Sequence, residues 1–451
     1  MSADPAREAA LELLRVVRDD DAYANLALPG ILHQRRLSGR DAAFATELAF
    51  GALRWRGLYD AILGQCVSRS WAEVDASMQD VLRIGAHQVL GMRVPAHAAV
   101  DSTCNLARLA GSPGGAKARA GFVNAVLRKV ALRDVEAWVV QLGADGATEQ
   151  QLAVRWSHPA WIVRALAQAL GDRRDELGAL LEADNVPARP TLVARPGRMS
   201  AEELLAIPGV EPARWSPFAA TLVDGIPSAI DEVRSGAVGV QDEGSQLVAL
   251  ALTRVPVTSS THRWLDMCAG PGGKAALLDG LAAADQAQLI AVEQHAHRAH
   301  LVRQALGEHS TAQVVVGDAT GQQFAGDFDR VLADVPCTGL GALRRRPEAR
   351  WRRLPSDVAG LAQLQRALLE AAVRAAAPGG VIAYVTCSPH FAETELVVQD
   401  ICKAHPELVL LDAPSFLPEV PDARRGSFVQ LWPHRHGTDA MFLALLQRPA
   451  A

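Results

Sequence analysis

Apolar residues recur every three or four positions through the first third of the chain, the spacing that gathers them on one face of a helix. The pattern predicts helices over Ala6–Val17, Arg40–Trp55, Val74–Leu90, Ala99–Leu109 and Phe122–Val130, and strand-like alternation is nearly absent there. Residues 1–140 therefore read as an all-helical domain. From 141 to 238 the pattern is mixed. Helical stretches around Ile162–Leu170 and Asp175–Glu182 precede short strands at Pro187–Val193 and Gly236–Val240, set between turns rich in proline and glycine. Residues 239–451 alternate strand with helix, which predicts a parallel sheet with helices on both faces. The candidate strands are Trp264–Met267, Leu289–Val292, Val314–Val316, Arg330–Ala333 and Val381–Val385. Each runs into a polar or glycine-bearing turn, and in open α/β sheets ligands bind beyond the carboxyl ends of the strands.

Composition narrows the picture modestly. A length of 451 residues suits two or three domains at roughly 150 residues each. The 49% hydrophobic and 21% charged content is that of a globular protein with large cores. No apolar run approaches the ~20 residues of a membrane span, and the first residues lack the layout of a signal peptide, so a cytoplasmic location is expected. A net charge of −5 leaves any nucleic-acid binding to local patches. The six cysteines show no zinc-like spacing. Cys66, Cys104 and Cys402 read as buried packing residues, and His295, His297 and His300 as one surface helix, so no metal is expected.

The chemistry concentrates at the predicted strand ends. Cys268-Ala269-Gly270-Pro271-Gly272-Gly273-Lys274 runs from strand into helix, where glycines admit a ligand to the backbone and a helix N-terminus offers N–H groups to a carboxylate. Neither dinucleotide nor Walker spacing is present. Only 4 of the 45 basic residues are lysine, which singles out Lys274 as a charge for that carboxylate. Glu293, about 20 residues on, suits ribose hydroxyls. Asp318 suits an adenine amino group or caps the next helix. Two cysteines follow later strands, in Asp334-Val-Pro-Cys337 and Thr386-Cys387-Ser388.

A cofactor loop followed by two thiols and an acid suits methylation of a pyrimidine ring carbon by S-adenosylmethionine. Carbon 5 of cytosine is too weak a nucleophile until a thiolate adds to carbon 6. An acid must hydrogen-bond the ring, and a second group must help remove the carbon 5 proton. Six arginines and a tryptophan follow Cys337. Arg344, Arg345, Arg346 and Arg350 suit phosphates and Trp351 suits a base, which predicts an RNA contact.

These motifs resemble the bacterial RsmB (Sun, Fmu) family of 16S ribosomal RNA cytosine-5 methyltransferases. The resemblance covers nearly the whole chain. Arg40-Asp-Ala-Ala-Phe-Ala-Thr-Glu-Leu, Val94-Pro-Ala-His-Ala-Ala-Val-Asp101 and Phe122-Val-Asn-Ala-Val-Leu-Arg-Lys129 resemble the antitermination factor NusB. Ser157-His-Pro-Ala-Trp161 and Val240-Gln-Asp-Glu-Gly-Ser-Gln246 resemble the connector and the entry to the catalytic domain. The resemblance implies a class I, Rossmann-like S-adenosylmethionine-dependent methyltransferase domain preceded by an all-α NusB-like domain and a small mixed connector. It makes Cys387 the nucleophile, Cys337 the residue that assists proton removal and product release, and Asp334 the group that hydrogen-bonds the cytosine ring. The loop 268–274 with Glu293, Asp318 and Asp334 would line the cofactor pocket. It also implies 16S RNA as substrate, and a monomer is expected. Thr394 stands where the family usually has asparagine, and Gly270 where it more commonly has alanine. Three rival readings are the same chemistry on transfer RNA or another ribosomal site, a non-catalytic RNA-binding protein, and a nicotinamide-dependent dehydrogenase. The last two have no use for two thiols.

Overall fold

The computed structural model describes residues 4–92, 94–110, 114–321, 324 and 326–450. It divides into two compact units, Met1–Val186 with Leu343–Arg352, and Pro187–Ala342 with Arg353–Ala451. The boundary between the units at Val186 falls inside the connector expected at 141–238. Its helices up to Leu177–Ala183 belong to the first unit, and its strands, with the short helices Ala201–Leu205 and Asp231–Arg234, to the second.

The first unit is helical. Helices span Pro5–Asp19, Ala24–Gln34, Gly39–Arg54, Arg56–Cys66, Ala76–Leu90, Ala96–Leu109 and Ala116–Val130. Local signals fix several starts. Asp4 accepts from the N–H groups of Ala6 and Arg7, Asp75 caps the helix that begins at Ala76, and Thr148 and Gln151 form a reciprocal capping box. The predicted helix from Val74 therefore starts two residues later. Apolar faces such as Leu13, Leu48, Ile62, Leu82, Val123 and Leu127 meet in one core.

The second unit carries two sheets. The smaller is antiparallel, built from β1 (Thr191–Ala194), β2 (Val210–Pro212), β3 (Ala219–Leu222) and β4 (Val238–Val240) in the order β2-β3-β1-β4. The larger contains β5 (Arg263–Asp266), β6 (Gln288–Glu293), β7 (Gln313–Val316), β8 (Phe328–Asp334), β9 (Ala376–Thr386), β10 (Val409–Leu410), β11 (Arg424–Arg425), β12 (Phe428–Gln430) and β13 (Phe442–Gln447). Its order is β11-β12-β13-β9-β8-β5-β6-β7, with β10 also on β13. β5 to β9 are mutually parallel, as predicted. β10 to β13 pair antiparallel, so the sheet is mixed rather than parallel. Short segments and close turns made these last strands hard to see, and an antiparallel pair needs no helical crossover.

Successive residues of the central strands enter different cores. Trp264, Leu289, Leu332, Ala383 and Leu445 lie in one, and Leu265, Ile290, Val331, Ile382 and Leu446 in the other. Both faces are thus covered, and the strands read as continuous apolar runs. The chain passes β5-β6-β7 outward and returns to place β8 beside β5. That reversal opens a crevice at the carboxyl ends of β5 and β8. No helix among the described residues is long and apolar enough to cross a membrane.

Candidate active site

The loop 268–274 leaves β5 at this reversal and enters the helix Gly273–Ala284. Close packing explains two of its glycines. A Cβ on Gly270 would stand 2.1 Å from Glu293 Oε2. Gly272 has φ +113°, and its Cβ would meet Ala305 at 2.6 Å. Glu293, at the end of β6 and buried, accepts from the His295 N–H at 3.0 Å and lies 3.4 Å from Arg298. Arg298 in turn donates to the Gly270 carbonyl at 2.6 Å. Asp318 is exposed, and its Oδ1 closes a turn onto Thr320 N at 2.9 Å.

Asp266 lies under the loop. Its Oδ1 accepts from the Cys268 N–H at 3.3 Å, and burial, reinforced by the Asp334 charge, pushes its carboxyl up to about 7. Its Oδ2 and the Oε1 of Gln241 are buried without a hydrogen-bond partner in the protein, and Gln241 lies 3.7 Å from a Cβ placed on Gly273. Two orphaned acceptors beside a glycine-lined loop fit a ligand that brings donors, as the amino and hydroxyl groups of S-adenosylmethionine would. Burial, and then the Asp266 charge, hold the Cys268 thiol well above the usual range, so it packs rather than reacts.

Lys274, at the start of the helix, makes an ion pair within the protein. Its Nζ donates to Asp334 Oδ2 at 2.8 Å, at the end of β8. Burial alone would lower its pKa, but the Asp334 carboxylate more than offsets this and raises it. The lysine charge therefore orients Asp334.

The two thiols meet. Cys337 Sγ and Cys387 Sγ are 3.3 Å apart, carried by the adjacent strands β8 and β9. The hydrogen bond between them splits their behaviour. With the proton on Cys337, that bond lowers the Cys387 pKa against the cost of burial, and Lys274 assists. The same bond, with burial, raises Cys337 well above the usual thiol value. Gly341 ties this ground together, donating to the Cys387 carbonyl at 2.9 Å and accepting from the Ala440 N–H at 2.9 Å.

The arginine run departs from expectation. Leu343–Arg352 packs within the first unit. Arg350 has no exposed surface. Its guanidinium donates to the carbonyls of Arg54, Ser157 and Asp184 and to Asn185 Oδ1, so no phosphate reaches it. Trp351 is likewise not presented to a base. It packs against Gly57, with the Arg56 guanidinium 5.4 Å from its ring centroid. Arg346 lies over Tyr23 at 5.1 Å, and the half-buried Arg344 receives Arg54 on its carbonyl. Arg345 is the exposed member of the five. A charge run cannot be told from a buried anchor by composition alone. The apolar Leu343, Pro347 and Trp351 spaced through it were the available signal.

Glu393, which the sequence analysis did not single out, has no exposed surface and hydrogen-bonds both cysteine-bearing loops. Among the described residues, no group of three or more His, Cys, Asp or Glu is arranged to hold a metal ion.

Comparisons with known proteins identify the family and the fold. Residues 255–447 match the family model described as 16S rRNA methyltransferase RsmB/F, and residues 4–132 match that of the NusB family. The chain is 51% identical over 447 residues, covering 99% of it and 97% of the relative, to a protein of Mycobacterium tuberculosis (strain ATCC 25618 / H37Rv) whose name places it among the methyltransferases without a substrate. It is 34% identical over 412 residues to the ribosomal RNA small subunit methyltransferase B of Pseudomonas syringae pv. tomato, covering 87% of this chain and 85% of that one. The crystal structure of PH0851 superposes with a TM-score of 0.79 at 22% identity, covering 99% of this chain and 100% of that one, a likeness of fold. A NusB-type helical domain thus precedes a Rossmann-like domain that takes its methyl group from S-adenosylmethionine, and the chain belongs to the RsmB family of ribosomal RNA methyltransferases.

Proposed function

We propose that the protein methylates carbon 5 of a cytosine in 16S ribosomal RNA through a transient covalent bond to Cys387. The observation that carries the reading is the pair of thiols 3.3 Å apart, with Asp334 held by Lys274 near Cys387. Among RNA methylations, transfer to a pyrimidine carbon is the one that needs a nucleophile on the enzyme.

When bound, S-adenosylmethionine supplies an electrophilic methyl group. The chain's own residues do the rest. Cys387, its pKa lowered by the Cys337 hydrogen bond, adds as thiolate to carbon 6 of a base turned out of its stack. The ring electrons displaced by the new C–S bond load carbon 5, which takes the methyl group. Asp334, fixed by Lys274, hydrogen-bonds the cytosine and orients its ring for the addition. Loss of the carbon 5 proton then restores the ring double bond and expels the Cys387 thiolate. Cys337, beside the departing sulfur, assists removal of that proton and release of the product.

The test is methyl transfer from labelled S-adenosylmethionine to 16S RNA, followed by mass spectrometry of the digested nucleosides. The label should appear in 5-methylcytidine. Label in a ribose-methylated or nitrogen-methylated nucleoside would rule the reading out.

A further inference from the structure

Glu393 is a carboxylate with no exposed surface, and none of the steps proposed above uses it. Its Oε1 accepts from the Thr338 N–H at 2.7 Å and from Gln365 Nε2 at 3.1 Å. Its Oε2 accepts from Thr338 Oγ1 at 2.5 Å and Ser388 Oγ at 2.7 Å. Gln365 also donates to the Pro336 carbonyl at 2.8 Å, and the Tyr384 hydroxyl holds the Glu393 carbonyl at 2.7 Å.

Burying a carboxylate is costly, and these four bonds come from neutral donors. What a carboxylate offers over a neutral group is that it only accepts, so every donor around it is turned one way. Three of the four bonds come from the immediate neighbours of the two thiols, Thr338 after Cys337 and Ser388 after Cys387. The dependence is unequal. Residues 336–338 are held by two direct bonds to Glu393 and by a third through Gln365. Cys387 has other supports, because its carbonyl accepts from Gly341 N, the Ser388 carbonyl accepts from Thr386 Oγ1 at 2.7 Å, and β9 runs directly into it.

We infer that Glu393 is a positioning residue that sets Cys337 against Cys387, so that its loss slows release of the methylated base more than attack upon it. The inference rests on the thiol reading above. The test uses the full-length protein with S-adenosylmethionine and a 16S RNA transcript, followed by denaturing gels. Wild type is run in parallel on RNA carrying 5-fluorocytidine, whose fluorine cannot leave as the proton does and so traps the bond to carbon 6. No trapped species there would overturn the thiol reading and this inference with it.

With trapping established, Glu393→Ala should accumulate a protein–RNA adduct on ordinary RNA. Its release should be slowed by about 100-fold, the scale of a misplaced group near the chemistry, while S-adenosylmethionine affinity stays unchanged. Glu393→Gln keeps an acceptor for Thr338 N and Gln365 and can turn its amide to the two hydroxyls. It should recover release to within about tenfold of wild type. Wild-type turnover in Glu393→Ala, or equal loss of adduct and methylation, would overturn the inference and leave the thiol reading standing. Should Glu393→Ala not fold, Thr338→Val removes one donor at constant shape. Adduct accumulation in that variant supports the clamp, and wild-type release overturns it.

Discussion

At the scale of single residues, the active-site charges set how the protein responds to pH. In the proposed reaction Cys387 must be deprotonated to attack, and its pKa lies below the thiol value of 9.0 because Cys337 donates to it. Single-turnover methylation should therefore rise with pH and level off below that value. A rate that goes on rising above about pH 9 would contradict the assignment. Asp266 acts on stability instead. Its carboxyl titrates at about 7 in the folded chain against 3.8 ordinarily, so the folded state binds the extra proton in that window. The stabilisation is fully present below the ordinary value and is lost as pH rises through about 7. Asp266→Asn removes the titration, so its melting temperature should gain on wild type between about pH 5 and pH 8. A constant difference across that range would show that the buried acid does not titrate there.

At the scale of elements, two short segments do more than their sequence suggests. Gly341 sits where a Cβ would lie 2.2 Å from the Ala440 carbonyl oxygen and 2.8 Å from that of Cys387. Both neighbours are backbone and cannot swing aside, so Gly341→Ala should displace the Cys387 turn. Methylation should fall by about 100-fold with cofactor binding retained, and a fully active variant would show that the turn tolerates movement. Arg350 anchors its segment through buried carbonyls. Truncation to alanine leaves those acceptors unpaired and should cost roughly 3 kcal/mol or more in stability, measured by denaturant unfolding. An unchanged midpoint would mean that the anchor is dispensable. The contrast shows what a sequence discloses. β5 to β9 and the first-domain helices were legible because their periodicity comes from burying one or both faces. The cysteine motifs were legible because few chemistries need them. Partners chosen in three dimensions left no such trace. Nothing in the spacing of Lys274 and Asp334, 60 residues apart, distinguishes a pair from two cofactor ligands, and the antiparallel strands Arg424–Arg425 and Phe428–Gln430 are too short for a period to show.

At the scale of the whole molecule, the net charge of −5 means that RNA affinity rests on local basic groups and should weaken as salt rises. Of the arginine run, Arg345 is the exposed side chain. Arg345→Ala should reduce the salt slope of RNA binding by about one, as loss of one phosphate contact does. An unchanged slope would assign the run wholly to structure. The central claim is narrower: two thiols share one reaction, Cys387 forming the bond to the base and Cys337 assisting its rupture. The most direct measurement compares Cys387→Ala with Cys337→Ala on 16S RNA in the presence of S-adenosylmethionine, looking for a protein–RNA adduct that survives denaturing electrophoresis. Cys337→Ala should accumulate the adduct with the base already methylated, and Cys387→Ala should give neither adduct nor methylation. Adducts in Cys387→Ala and none in Cys337→Ala would contradict the assignment.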